Sequence, residues 1–428
     1  MSGEFTVGQA DRLQRASRTG LRPSLLFSVA AAGVVLVFVF AVGAAPVARA
    51  ETGPIVRVRV LANQPEVIIS NAKGRSIRVV AGARELVVAG VPSGARYETQ
   101  GKGPYWVKTA KGATSNVRGQ LRVDKTSGGL SVVNEVSLEN YVVGTISAEM
   151  YASWEPAALQ AQAVACRTYA LYQMDERVGA PYDVTADVAS QRYLGIRGES
   201  ESGWAALRAT AGQIISYGGR PALAAFHSSS GGETASSKEV WGTSLPYLRS
   251  VSVADEDDSP DTYWRFGVSD AHMARGLVQL GHKIGHLEAV EVIERSGSGR
   301  ASKLRFRGAS GRATVTGREI RQVLGSTTLK STLFDVRKES GKVVFVGSGN
   351  GHGVGMSQWA AQAMAQQGAG YREILSNFYP GTKLVGVEDL KQRFARRATP
   401  LAWTQTPQRA EPVKSRPLKT KLNGDPAR

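Results

Sequence analysis

The chain has 428 residues, 42% of them hydrophobic, and a formal net charge of +17, which is room for two or three domains of ordinary globular composition. A packed core is expected, and a single cysteine, Cys166, excludes intrachain disulfides as its support. Forty-eight glycines with 7% aromatic residues point to many turns. The class expected is α+β, with mixed helices, short and largely antiparallel strands, and a β-rich N-terminal module.

Residues Ser24 to Ala48 carry no charge, follow Arg12, Arg15, Arg18 and Arg22, and end at Ala48-Arg49-Ala50, a pattern suited to a signal peptidase. This apolar stretch of 25 residues also reaches across a bilayer, so a cleaved signal peptide and an uncleaved membrane anchor both fit residues 1–50. Either sends the rest of the chain to the cell envelope, as an anchored, periplasmic or secreted protein. Beyond residue 50, 48 Lys and Arg face 34 Asp and Glu, so an anionic partner is expected. With export and no nucleic-acid motif, that partner is lipid or wall polymer rather than nucleic acid.

Between 51 and 126 the chain alternates apolar and polar residues, as in Val56-Arg57-Val58-Arg59-Val60 and Val67-Ile68-Ile69, with turns at Asn71 to Gly74 and Pro92 to Gly94. A β-rich module follows from that alternation. From 127 to 385 the pattern changes to a mixed domain. Leu130 to Val133 is a short strand, Ser137 suits the N-cap of a helix from Leu138, and Pro156 suits the first turn of the next. Gly144 weakens the first helix by about 1 kcal/mol relative to alanine. The second carries Leu159, Ala163, Cys166 and Ala170 on one side, and Cys166 reads as a small buried filler.

Glu149 closes the first helix on the stripe of Leu138, Val142 and Thr145. A carboxylate aimed where apolar residues point is either a helix-terminal Glu paired with an arginine or a desolvated general acid that holds its proton near neutral pH. Further on, Gly218-Gly219 joins 213–217 to 220–226 as a hairpin and delivers His227 to the end of its second strand, ahead of the polar loop Ser228-Ser229-Ser230-Gly231-Gly232. His272, His282 and His286 have no distinctive surroundings and read as surface or structural residues. Gly347 to Gly355, with His352, is a glycine-rich turn opening a helix at Met356. Such a turn can cradle an anion, although neither a dinucleotide fingerprint nor a Walker loop is present. Gly368 suits the end of that helix, and Tyr371 to Phe378 forms the last one, halted at Pro380-Gly381. The segment 386–428 ends in a Pro-rich tail, with six basic residues against two acidic after Ala398, which reads as solvated and disordered.

Metal hydrolysis has no H-E-x-x-H and no Cys pair to work with, and serine catalysis no G-x-S-x-G elbow, so neither metal nor cofactor is expected. A site of His227, His352 and a carboxylate is the weaker alternative. Acid catalysis by one glutamate, helped by hydrogen-bonding residues of two glycine-rich loops, fits what remains. Glycosidases ordinarily use two carboxylates. A lytic reaction, in which a substrate hydroxyl attacks, needs one.

Four segments, Glu139-Asn140-Tyr141-Val142-Val143-Gly144 to Met150, Leu159 to Ala170, Ala225 to Gly232 and Gly351 to Gln358, together resemble the stage II sporulation protein D family, which includes the amidase enhancers. The resemblance spans about residues 55 to 385. It implies a peptidoglycan lytic transglycosylase that cuts glycan strands freed of stem peptides and leaves 1,6-anhydro-muramyl ends, with Glu149 as general acid and then base. It implies substrate binding by Arg167, Tyr169, His227, Ser228, Ser229, Ser230, His352, Ser357 and Gln358. A denuded glycan is a polyanion, so Arg167, or the loop residues Arg192 and Lys238, are expected to hold its carboxylates. Two departures from the family pattern, Glu233 in place of a histidine and Cys166 in place of an alanine, weigh against zinc. The rival reading is a wall-binding module that stimulates a cell-wall amidase without cutting anything.

Overall fold

The computed structural model describes residues 53–254 and 256–390. The expected export segment, and the tail beyond 390, lie outside them. Among the described residues no helix is long and apolar enough to cross a membrane.

The N-terminal half is built as the alternation requires. In the strand Ile55–Gln64, Val56 and Val58 are fully buried while Arg57 and Arg59 lie half out, the period-2 pattern of a sheet with one covered face. It pairs antiparallel with Gly129–Ser137 and parallel with Val184–Thr185, within a five-stranded sheet completed by Gln120–Thr126 and Arg96–Glu98. This sheet crosses the boundary expected at residue 126. A second, six-stranded antiparallel sheet, centred on Glu66–Asn71, Ser76–Ala81 and Tyr105–Thr109, completes the β-rich part.

Helix α1, Leu138–Glu149, and helix α2, Pro156–Glu176, run through the main core. Ser137 occupies the N-cap of α1, but its hydroxyl makes no capping bond and is buried without a partner. Pro156 opens α2 as its missing N–H allows. Helix α3, Glu201–Ala209, packs on both. Gly218 and Gly219 adopt φ of 57° and 73°, the left-handed pair a two-residue hairpin turn demands. The hairpin's second strand nevertheless ends at Pro221: Ala222 N–H still donates to the Ile215 carbonyl at 2.9 Å, but Ile215 N–H turns to Thr168 Oγ1 at 3.0 Å and the ladder stops. His227 is therefore not placed by the hairpin. The chain continues to Phe226–His227, which pairs parallel with Met356–Ser357.

Helix α4, Ser237–Trp241, leads into a lobe with a hydrophobic core of its own around Leu304, Phe306 and Phe345. It holds two three-stranded antiparallel sheets with helices α5, Asp270–Gln279, and α6, Gly317–Leu324. His272 and His286 are exposed there and His282 is half-buried. The chain then returns to the main core through Met356–Ser357, α7, Gln358–Gln366, and α8, Tyr371–Phe378. Gly368, at φ 94°, follows the end of α7.

Candidate active site

Glu149 is the last residue of α1 and is half-buried. Its stripe-mates Leu138, Val142 and Thr145 are buried, as the helical period requires. Desolvation raises its carboxyl above the usual carboxylate range, while the backbone N–H and the charge of Arg192 and a hydrogen bond from the Gln358 side chain act the other way and do not overcome it. The C-terminal end of a helix also carries partial negative charge, so α1 itself adds nothing to stabilise the anion. Gln358 is anchored in turn, its amide 3.4 Å from Gln162 Oε1 in the buried middle of α2.

Gly144 explains how the Arg192 N–H arrives. A Cβ there would lie 2.7 Å from the Tyr193 ring and 3.0 Å from the Gly195 carbonyl. The absent side chain lets residues 193–195 lie on α1, fixed by Leu194 N–H donating to the Gly144 carbonyl at 3.1 Å. Arg192 then presents its amide to Glu149 one turn further on and keeps its side chain in solvent. What the sequence registers as a weak point of the helix is a seat for the segment that meets the carboxylate.

The two glycine-rich loops meet through a residue that sequence reasoning missed. Glu256 is buried and accepts from Ser230 N–H and Oγ, Gly231 N–H, Gly232 N–H and Ser357 Oγ. Gly231 and Gly232, both at positive φ, turn their amides to one point and make an anion nest. The chain fills that nest with its own carboxylate. Among the acidic residues of 254–261 nothing in the local pattern distinguishes Glu256, because its partners lie 24 to 101 residues away. The anion cradle expected at 347–355 has another use: a Cβ at Gly351 would strike His227 Cβ at 2.6 Å, one at Gly353 the Arg300 guanidinium at 2.5 Å, and one at Gly355 the Ala225 carbonyl at 2.0 Å. Those glycines permit close packing.

His227 is buried, with Nδ1 3.2 Å from the Val354 carbonyl and Nε2 unpartnered. Burial, then His352 and Arg300, push its pKa well below the ordinary value. His352, 5.6 Å away between ring centres, is pushed down to about 4 by burial and by Arg321 and Arg300. Both rings are neutral at neutral pH. Among the described residues no three His, Cys, Asp or Glu side chains converge on a metal position.

Of the expected substrate-binding residues, Gln358 is brought to Glu149 itself. Ser228 is half-buried, and its carbonyl accepts from Trp359 N–H at 3.0 Å. Ser229 is buried with its hydroxyl unpartnered, and Tyr169 is half-buried with its phenol bonded to Ser190. Ser230 and Ser357 are engaged by Glu256. Arg167 requires a correction. It is fully buried, and its guanidinium is held at 2.7 Å by each Glu139 carboxylate oxygen and at 3.0 Å by the Gln213 carbonyl. No donor of it faces outward to hold a glycan carboxylate. Arg192 and Lys238 are exposed. Glu233 is half-buried and accepts from Ser250 at 2.6 Å, so it is not a freely solvated loop residue. Cys166 is buried beside Gln162, and burial pushes its thiol far up, as a core filler requires.

A family model described as stage II sporulation protein matches residues 126–217, and a model of a domain of unknown function matches residues 248–355, which cover most of the second lobe. Stage II sporulation protein D of Bacillus subtilis is 31% identical over 268 residues, covering 59% of this chain and 75% of that one. An uncharacterized protein of Brachyspira hyodysenteriae is 28% identical over 346 residues, 79% of this chain and 86% of its own. The amidase enhancer of Bacillus subtilis is 32% identical over 288 residues, but the match spans only 40% of that protein. The first of these matches covers α1, α2, Glu149 and Arg192, and the chain belongs to the stage II sporulation protein D family.

Proposed function

We propose that this chain is a cell-wall protein and, more closely, a peptidoglycan lytic transglycosylase of the cell envelope, acting on glycan strands without stem peptides. One observation carries the reading: Glu149 is a desolvated carboxyl at a helix end whose ionised form meets one backbone N–H, one amide and a solvent-exposed arginine. Such a group keeps its proton at a pH where ordinary carboxylates have lost theirs. In the reaction the Glu149 proton passes to the glycosidic oxygen and the bond from that oxygen to C1 of the muramyl residue breaks. The muramyl 6-hydroxyl oxygen then bonds to C1, and its proton returns to Glu149. No water is activated, so no second carboxylate is needed. Glu256 is not available as one, since five donors and burial hold it inside the loops. Arg192, exposed beside Glu149, is the cation placed to meet the free lactyl carboxylates of such a strand.

The test is digestion of denuded glycan strands followed by mass spectrometry of the ends. Wild type is expected to yield anhydro-muramyl ends, and Glu149→Gln to lose about 10²- to 10⁴-fold in rate, the usual worth of a general acid. Absence of cleavage by the wild type on any glycan overturns the reading. A second reading, stimulation of a wall amidase, has the named amidase enhancer among the relatives in its favour. It predicts that Glu149→Gln stimulates an amidase as well as the wild type does.

A further inference from the structure

Immediately after Glu149 the chain exposes an aromatic surface that the acid chemistry does not use. Tyr151 is 62% exposed, although it sits two residues beyond a half-buried carboxyl. Its ring lies 5.5 Å from that of Trp154 and 6.3 Å from that of Trp359, and the two indoles meet edge to face at 4.8 Å. Trp359 directly follows Gln358, the side chain bonded to Glu149. The three rings thus come together from two segments that each adjoin the acid or its partner in the chain, one directly after α1 and one at the start of α7.

The bed beneath them is held firmly. Trp154 N–H donates to the Tyr151 carbonyl at 3.0 Å, Ser202 Oγ to the Ala152 carbonyl at 2.7 Å, and Glu155 N–H to Gln362 Oε1 of α7 at 2.9 Å. Trp154 packs against the main core and Trp359 is half-buried, so both indoles are anchored while Tyr151 faces solvent. An exposed aromatic fixed by a turn and backed by two indoles keeps its face in one orientation. Exposed aromatic surface held in this way marks a binding site more often than a defect of packing.

We propose that Tyr151, with Trp154 and Trp359 behind it, is a stacking platform for a pyranose ring of the glycan, one sugar removed from the bond that Glu149 protonates. The occupant follows from the chemistry at hand. A pyranose carries an apolar face of axial C–H groups that covers an aromatic ring, while its rim of hydroxyl and acetamido groups needs polar neighbours, and Gln358 and the exposed Arg192 supply polar groups at Glu149. Stacking alone recognises ring shape and is indifferent to charge; Arg192 adds preference for an anionic strand. This inference rests on the glycan reading of the Glu149 site.

The experiment uses the full-length protein carrying Glu149→Gln, so that binding is read without turnover, and titrates it calorimetrically with the uncharged N-acetylglucosamine hexamer and with denuded glycan strands. Tyr151→Ala is expected to weaken the hexamer by about five- to tenfold and Tyr151→Phe to stay within about twofold of the parent, as stacking of an aromatic face requires. The thermal midpoint of both variants should match the parent, because Tyr151 is mostly exposed. Equal hexamer affinity in Tyr151→Ala overturns the platform, as does failure of the parent to bind either glycan. Unchanged glycan binding with loss of amidase stimulation overturns it in favour of a protein-docking face. Glycan binding that depends on Tyr151, in a wild-type protein that cuts nothing, keeps the platform and removes the lyase reading.

Discussion

The two ends of α1 carry a glutamate each, and the protein treats them oppositely. Glu139, in the first turn, meets the fully buried Arg167 through two charge-assisted bonds of 2.7 Å and stands at the end of the helix that favours an anion. Glu149, in the last turn, is desolvated without a buried cation at the end that does not. One pair makes a joint between α1, α2 and the strand Gln213–Tyr217, through the Arg167 bond to the Gln213 carbonyl. The other leaves a carboxyl whose pKa desolvation raises. Of the two glutamates only Glu149 is left without a buried cation, because Arg167 is committed to the other end of α1.

The same substitution at each end separates these roles. Glu139→Gln strands the buried guanidinium and is expected to lower stability by about 3–5 kcal/mol, the loss on breaking a buried pair. Urea unfolding checks it; a change under about 1 kcal/mol would mean that Arg167 relaxes to other partners. Glu149→Gln should not destabilise. Because the folded-state pKa of Glu149 lies above its unfolded value, its stabilising contribution is complete below about pH 4 and fades as pH rises through the folded pKa. The stability of Glu149→Gln relative to wild type is therefore expected to climb across that window, measured by the same unfolding at several pH values.

Gly144→Ala sets local propensity against packing. Helix propensity alone predicts a gain of about 1 kcal/mol. The 2.7 Å approach of the Tyr193 ring predicts instead a loss of about 1–3 kcal/mol, with cleavage impaired as the Arg192 amide is displaced from Glu149. A stabilised, fully active variant would show that this segment can move without consequence. The smallest expected effect is that of Arg192→Ala. Its charge lowers the Glu149 pKa, so removing it moves the alkaline limb of kcat/KM to higher pH, and added salt should mimic this in the wild type. A limb that stays put assigns the opposing influence to the Arg192 backbone N–H and the Gln358 amide.

Much of this was legible beforehand. The period-2 run Val56 to Val60, the Gly218-Gly219 turn, Pro156 at its helix start and Gly368 past a helix end are local signals, and each names its element without help from distant residues. The apolar stripe that includes Glu149 is equally local. Arg167 misled for a physical reason: an arginine on a small-residue helix reads the same whether it faces a ligand or a buried partner, and Glu139 is 28 residues away in the chain. Gly144 likewise shows only its helix-weakening side until Tyr193 and Gly195 are laid against it. Glu256 had no signal, since its meaning lies entirely in amides and hydroxyls that two other loops bring to it.

The sequence by itself determined which elements form, which face of α1 turns inward and that a carboxyl would be carried there, because periodicity, caps and turn residues act over a few positions. The tertiary structure alone decided which carboxylates are neutralised, by Arg167 or by a nest of amides, and which one is left desolvated beside Gln358. Desolvation and pairing depend on the atoms that surround a charge in space, and around Glu149 those come from residues 43 and 209 positions further along the chain.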